Sequence, residues 1–320
     1  MISRFARLCV CALALCALPL ASQDRARFFS ICGIDQRAPM ERKLAIGRLY
    51  STTRGLPVCT AWLAPNGVFV TAGHCVALGF DELDFDVPQS SCDGSPRRPG
   101  PWSRFQVDPE SVVSGLELED GQDWALFRVL PNAAIGLPRY MSEGGALELA
   151  RSPVDRNQPR PIFVAGFGDD YREHDGCFHH NRILQSAPAT GQNGADERDW
   201  FYHGADTHIG NSGSPVFSYD AGGHPVVHGI HRGGNCPNVS TAVLHPEFVR
   251  ALREYGQTGT RDLAFERTVY AAARALRRPA RYPAVGLQSG LVGLKPVRAG
   301  FARLQIPEHG SELFERQEVQ

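Results

Sequence analysis

Short apolar runs broken by glycine, proline and asparagine recur through the first 250 residues, and they read as β-strands. From Cys59 to Thr71 the pattern predicts two strands around Pro65-Asn66-Gly67, since Asn-Gly between apolar runs is a strong hairpin signal. Trp124–Leu130 and Ile162–Phe167 read as buried strands, and Val216–Tyr219 with Val226–His231 as a second hairpin turned by Asp220-Ala221-Gly222-Gly223. Helical spacing appears late in the chain. Phe248, Val249, Leu252 and Tyr255 share one face of a helix expected over Pro246–Tyr255, which Gly256 suits as a C-terminal cap. Phe265, Val269, Ala272, Ala273 and Leu276 predict one more amphipathic helix, and little fixed structure is expected beyond Pro279. Residues 88–101, rich in Pro, Ser and Gly, read as a surface loop, and residues 131–160 as a crossing between two halves.

The N-terminus changes the compartment. Arg4 and Arg7 precede the apolar run Leu8–Leu20, which ends in Ala21-Ser22, so residues 1–21 are expected to be a signal peptide. That run is too short to span a bilayer, and no later one is long and apolar enough. The expected product is secreted or periplasmic, without a membrane anchor. Residues 22–44 are polar and irregular, either a propeptide or a lead-in to the first strand. At 320 residues and 42% hydrophobic the chain is ordinary globular material. With 33 Lys and Arg against 34 Asp and Glu, its formal charge of −1 gives no electrostatic case for nucleic acid. Cys9, Cys11 and Cys16 leave with the leader. Cys32, Cys59, Cys75, Cys92, Cys177 and Cys236 remain, an even set that in an exported protein reads as three disulfides, the alternative being small buried thiols.

Candidate chemistry sits in Gly210-Asn211-Ser212-Gly213-Ser214-Pro215, where flanking glycines allow a sharp bend that presents a hydroxyl. A serine needs a base and a group to orient that base. Val70-Thr71-Ala72-Gly73-His74-Cys75 supplies a histidine, and Asp123-Trp124-Ala125-Leu126 an aspartate. Each segment alone has a bland reading as a turn or strand end; the three together, in the order His, Asp, Ser, are far more specific.

In that order the segments resemble the chymotrypsin-like serine proteases. With Gly229-Ile230-His231-Arg232-Gly233-Gly234 they are most similar to the bacterial glutamyl endopeptidase branch, over about residues 31–256. The resemblance implies an all-β fold of two six-stranded Greek-key β-barrels with a C-terminal helix. It implies a protease domain over 45–258; beyond it, residues 259–320 read from their own charge as a basic C-terminal extension, partly helical or disordered. It also implies an endopeptidase acting on polypeptides through an acyl-enzyme, with His74, Asp123 and Ser212 catalytic and the N–H groups of Gly210 and Ser212 receiving the oxyanion. A monomer without cofactor is expected. The family's histidine-loop disulfide maps onto Cys59–Cys75. Of the three pairings open to the other four cysteines, Cys32–Cys92 with Cys177–Cys236 is preferred. Asn211 stands where trypsin-type activation needs an aspartate to bind a new α-ammonium, so that mechanism is not expected.

The substrate pocket is assigned to Asp206, Thr207, His231, Gly233 and Gly234, and there the resemblance points two ways. Thr207 and His231 match the branch that binds acidic side chains. Asp206 stands where trypsin-like enzymes bind Arg or Lys, unless it turns away to the backbone or pairs with His231. Arg232 departs from the tryptophan of the branch. Two matches against one favour Glu or Asp before the scissile bond. The rivals are an Arg/Lys-specific protease, a catalytically silent binding protein of the same fold, and an esterase, whose Gly-x-Ser-x-Gly elbow is not matched. Asp81, Glu82, Asp84 and Asp86 raise calcium against a plain solvated loop. His174, Cys177, His179 and His180 raise zinc, but the spacing is not that of a metal motif, and no metal is expected.

Overall fold

In a computed structural model of the chain the described residues are 30–42, 44–117, 121–143, 145–153, 161–189 and 199–255. The expected signal peptide, the helix around Phe265–Leu276, the Gly256 cap and the extension 259–320 lie outside them. The chain divides into two compact units, 1–252 and 253–320, and every contact described below lies within the first. No helix among the described residues is long and apolar enough to cross a membrane.

Two antiparallel sheets make up this unit. After β1 (Ala38–Pro39), the first sheet comprises β2 (Ile46–Ser51), β3 (Leu56–Leu63), β4 (Phe69–Thr71), β5 (Glu82–Asp84), β6 (Arg104–Gln106), β7 (Val113–Glu117) and β8 (Gln122–Phe127). Their order is β6-β5-β2-β3-β4-β8-β7. The sheet closes on itself where Val107 bridges Val129 and the Leu130 N–H donates to Gln106 O at 2.8 Å. The second sheet comprises β9 (Glu148–Leu149), β10 (Ile162–Gly166), β11 (Gln185–Ala189), β12 (Trp200–His203), β13 (Pro215–Tyr219), β14 (Pro225–Gly234) and β15 (Asn238–Ala242), with β1 on its edge. Here β13, β14 and β15 are consecutive neighbours and β12 returns beside β15, a Greek-key arrangement.

The all-β, two-sheet fold is the expected one, but the sheets hold seven and eight strands instead of six each. In the first, a 3-10 turn at Pro109–Ser111 splits one outer run into β6 and β7, because Pro109 has no N–H for a ladder. In the second, β1 and β9 are two-residue additions to six longer strands. Both expected hairpins are present, and Gly67 takes φ +74° in the turn after Asn66. The closing helix runs over 246–255. Phe248, fully buried, packs edge-on to Trp124 at 6.0 Å between ring centroids.

Each sheet buries its own apolar face. Phe69, Phe85, Phe105 and Phe127 fill the first, with neighbouring ring centroids 5.7 to 6.0 Å apart. Ile162, Val164, Ala187, Phe201, Val216 and Ala242 belong to one buried cluster in the second.

The disulfides are Cys59–Cys75, Cys32–Cys236 and Cys92–Cys177. The first is the expected pair; the other two correct the preferred partition. Cys92 sits on a loop that lies against residues 178–181: Phe178 N–H donates to Cys92 O and Ser90 N–H to His179 O, each at 3.0 Å. Cys32 lies instead beside the end of β14, where Asn238 Nδ2 donates to Ser30 O at 2.8 Å. Loop packing decides the partners, and Cys32 and Cys92 never meet. The acidic run is likewise engaged by the protein. Arg98 binds Glu82 and Asp84, Arg48 binds Asp84 at 3.2 Å, Arg139 reaches Asp86 at 3.3 Å, and Thr52 N–H donates to Asp81.

Candidate active site

The site lies where the two sheets meet. His74 opens α1 (His74–Ala77), the single turn after β4, and Asp123 is the second residue of β8, the neighbour of β4. Asp123 is buried, with one carboxylate oxygen accepting from the His74 backbone N–H at 2.8 Å and the other 2.8 Å from His74 Nδ1. A carboxylate on Nδ1 places the ring proton there, so Nε2 is the nitrogen left able to accept one. The Cys59–Cys75 disulfide ties the residue after His74 to β3.

A bulge brings a further charge to this pair. Between His231 and Gly233 the β14–β15 register shifts, leaving Arg232 as the extra residue. Bulges re-aim side chains in this way. Arg232 Nε lies 3.7 Å from Asp123 Oδ2. Burial pulls the Arg232 pKa down, with Asp123 opposing that effect.

The Ser212 loop is held by Thr60 of β3. Thr60 N–H donates to Ser212 O at 2.9 Å, and its hydroxyl donates to Gly210 O at 2.8 Å while accepting from Phe167 N–H at 3.0 Å. With both carbonyls turned to Thr60, the N–H groups of Gly210 and Ser212 donate to nothing among the described residues. Two unengaged N–H groups on one loop can stabilise an oxyanion. The bend needs Gly213: its φ is +86°, and a Cβ there would stand 2.2 Å from both Thr60 O and Thr71 Oγ1. Behind the loop Asp169 N–H donates to Ile209 O at 2.8 Å, and Arg182 pairs with the Asp169 carboxylate.

The pocket residues separate. Asp206 is buried, but its two oxygens accept the backbone N–H groups of Cys32 and Gln36 at 2.6 and 2.7 Å. It turns toward the N-terminal segment and does not pair with His231. His231 is joined to the Ser212 loop through Gly213 N–H donating to its carbonyl at 2.8 Å. Its ring partner is His203 of β12, at 3.2 Å between Nδ1 and Nε2. Burial pushes His203 down to about 3 and His231 well below the usual imidazole range, so both are neutral near pH 7. Thr207 Oγ1 is buried without a hydrogen-bond partner among the described residues. Gly233 and Gly234 form the half-open end of β14, and the Gly234 carbonyl accepts from Ser30 Oγ. Cys177 is in a disulfide and His179 Nδ1 faces Ser90 O at 3.3 Å, so neither joins a metal cluster.

Sequence reasoning missed His203, Thr60 and the Asp169–Arg182 support. His203 left one trace: it follows Phe201 by two, which puts it on the inward face of its strand, where a histidine needs a reason.

Two Greek-key-like sheets with a His–Asp pair and a glycine-bounded serine loop between them define a chymotrypsin-like peptidase fold. A family model for the trypsin-like peptidase domain matches residues 59–226, and the chain belongs to that family. No curated protein matches the sequence significantly. Among solved structures, a Glu endopeptidase in complex with MPD is similar at a TM-score of 0.51 and 15% identity, covering 71% of this chain and 99% of that one. At that identity the likeness bears on the fold alone.

Proposed function

We propose that the chain is an exported, monomeric serine endopeptidase with His74, Asp123 and Ser212 as its catalytic residues. The observation that carries this reading is the pair of hydrogen bonds between His74 and buried Asp123, together with a serine loop whose N–H groups at 210 and 212 are unengaged among the described residues. Ser212 Oγ attacks the scissile carbonyl and passes its proton to His74 Nε2. Asp123 stabilises the imidazolium, which then protonates the leaving amine as the C–N bond breaks. Water repeats the sequence on the ester to release the acid. Each oxyanion donor lowers the barrier by ~3 kcal/mol.

For specificity we propose an acidic side chain before the scissile bond. Asp206 is engaged by two backbone donors, which removes the main argument for Arg or Lys. Thr207 Oγ1 and the His231 ring remain as groups able to meet a carboxylate, and the incoming anion raises the histidine pKa.

The test is substitution. Ser212→Ala and His74→Ala should each lower kcat by about 10⁶ while leaving the thermal transition in place, with the double variant little worse. A fluorophosphonate probe should label Ser212 in the unmodified chain only. A folded Ser212→Ala protein that still cleaves peptides would sink the assignment, and a peptide library cleaved chiefly after Arg or Lys would sink the acidic preference.

A further inference from the structure

The Ser212 loop has one charged neighbour to which the mechanism gives no part, the guanidinium of Arg182. A Cβ on Gly210 would stand 2.0 Å from Arg182 Nη1 and 2.9 Å from its Cζ, so this group lies directly against the Gly210 Cα. Gly210 supplies one of the two N–H groups left for the oxyanion, and a single covalent bond separates that nitrogen from the Cα the guanidinium touches. Arg182 is buried, out of reach of solvent screening.

Asp169 sets the orientation. Arg182 presents its Nε–Nη2 edge to the carboxylate, Nη2 donating to Oδ2 at 3.0 Å and Nε donating to Oδ1. In a planar guanidinium this leaves Nη1 at the corner away from the anion. Nη1 donates to no oxygen among the described residues. The ion pair is therefore a fixed dipole with its positive end on Gly210.

The backbone holds that dipole at both ends. Arg182 N–H donates to Gly168 O and Arg182 O accepts from Arg48 Nη1, each at 3.1 Å. Asp169 N–H donates to Ile209 O, next to Gly210, at 2.8 Å, and Asp169 O accepts from Arg37 Nη1. His208 Nδ1 lies 3.8 Å from Asp169 Oδ2, but burial pushes its pKa down to about 4, so it adds no charge near pH 7. A brace of the same shape could be built from apolar side chains without desolvating two charges. What the charge adds is a field, and an oriented dipole in a dry site acts most strongly where charge develops.

Resting on the assignment of Ser212 and its oxyanion donors above, we propose that Arg182 is a positioning residue for the oxyanion. Acting through the Gly210 peptide, it stabilises the negative charge the acyl oxygen gains as the Ser212 Oγ–C bond forms and the carbonyl π pair moves onto oxygen. Asp169 keeps its positive end aimed.

The experiment uses the full, oxidised chain and a peptidyl trifluoromethyl ketone labelled with ¹³C at the carbonyl. Ser212 adds to that carbon, and the resulting hemiketal oxygen is titrated by NMR. The double variant Arg182→Met with Asp169→Asn leaves no buried charge unpaired. In it the hemiketal should titrate ~1 unit higher than in the unmodified chain, and kcat should fall ~10-fold with KM changed less than ~2-fold. Asp169→Asn alone keeps the cation and removes its counter-charge, so its hemiketal should titrate no higher than that of the unmodified chain. Equal upward shifts in both variants would mean that the pair is only a brace, and that result overturns the proposal, as does an unmoved titration in the double variant. Should the double variant fail to fold, Arg182→Lys decides, because it keeps a charge beside Asp169 but draws it back from Gly210: an upward shift supports the proposal and an unmoved one refutes it. A hemiketal that never forms in the unmodified chain removes the Ser212 assignment and this inference with it, whereas one that forms and titrates alike in every chain removes this inference alone.

Discussion

Asp206→Asn asks whether this carboxylate holds the fold or reads the substrate. Its oxygens receive the N–H groups of Cys32 and Gln36 at 2.6 and 2.7 Å, both short enough to be charge-assisted bonds. Hydrogen bonds to charged groups contribute ~1.5–3 kcal/mol each. Asparagine keeps one acceptor, loses the charge, and turns an amide donor toward the second N–H. The expected cost is therefore about 2–3 kcal/mol, the upper value applying if the second N–H is left unpaired. For a domain of this size each kcal/mol moves the midpoint by ~2–4 °C, so calorimetry should show a fall of about 4–12 °C. Cleavage preference in a peptide library should be unchanged, because the residue does not reach the substrate. The reasoning is refuted by the opposite pair of results: an unmoved thermal midpoint together with loss of cleavage after Arg or Lys.

Arg232→Gln should move the acid limb of the kcat/KM pH profile upward by up to ~1 unit, because removing the guanidinium 3.7 Å from Asp123 lets that carboxylate stabilise imidazolium more fully; a profile that stays put or moves down contradicts this. His203, His208 and His231 are held neutral by burial, His203 at about 3 and His208 at about 4, whereas the unfolded chain protonates them near 6.5. Their contribution is therefore complete above pH 6.5 and is lost as pH falls toward the folded values, at ~1.4 kcal/mol per unit for each. Urea midpoints at pH 7.5, 6.5 and 5.5 should fall about three times as much in the second interval as in the first; equal drops would argue against it. Gly213→Ala should reduce fluorophosphonate labelling of Ser212 by at least ~100-fold, since the added carbon meets Thr60 and Thr71; undiminished labelling would show that the bend is not required.

Local chemistry was the legible part of this protein. The Asn66-Gly67 turn, the strand pairs around it and the helix at 246–255 all follow from neighbours in sequence, where propensity and periodicity act. What was misread depends on which distant segments touch. Four cysteines look alike until the 88–101 loop is seen lying on residues 178–181. Asp206 carries the same carboxylate in a pocket or against a backbone, and only the position of Cys32 and Gln36 distinguishes the two. The two short strands β1 and β9 owe their existence to partners more than seventy residues away, and their own composition gives no signal.

Thr60 has a mechanical consequence. Its backbone and hydroxyl bind the Ser212 loop and Phe167 on one side, and its carbonyl accepts from Thr71, three residues before His74, at 2.8 Å. His74 and the Ser212 loop are thus gauged from one residue on one strand, much as two jaws share a rivet. Sliding the Ser212 loop and Phe167 past β3 by an ångström would break three of these bonds together, which favours a fixed aperture. Control of such an aperture has to come from what covers it, or from residues brought to its rim, and not from prising the halves apart.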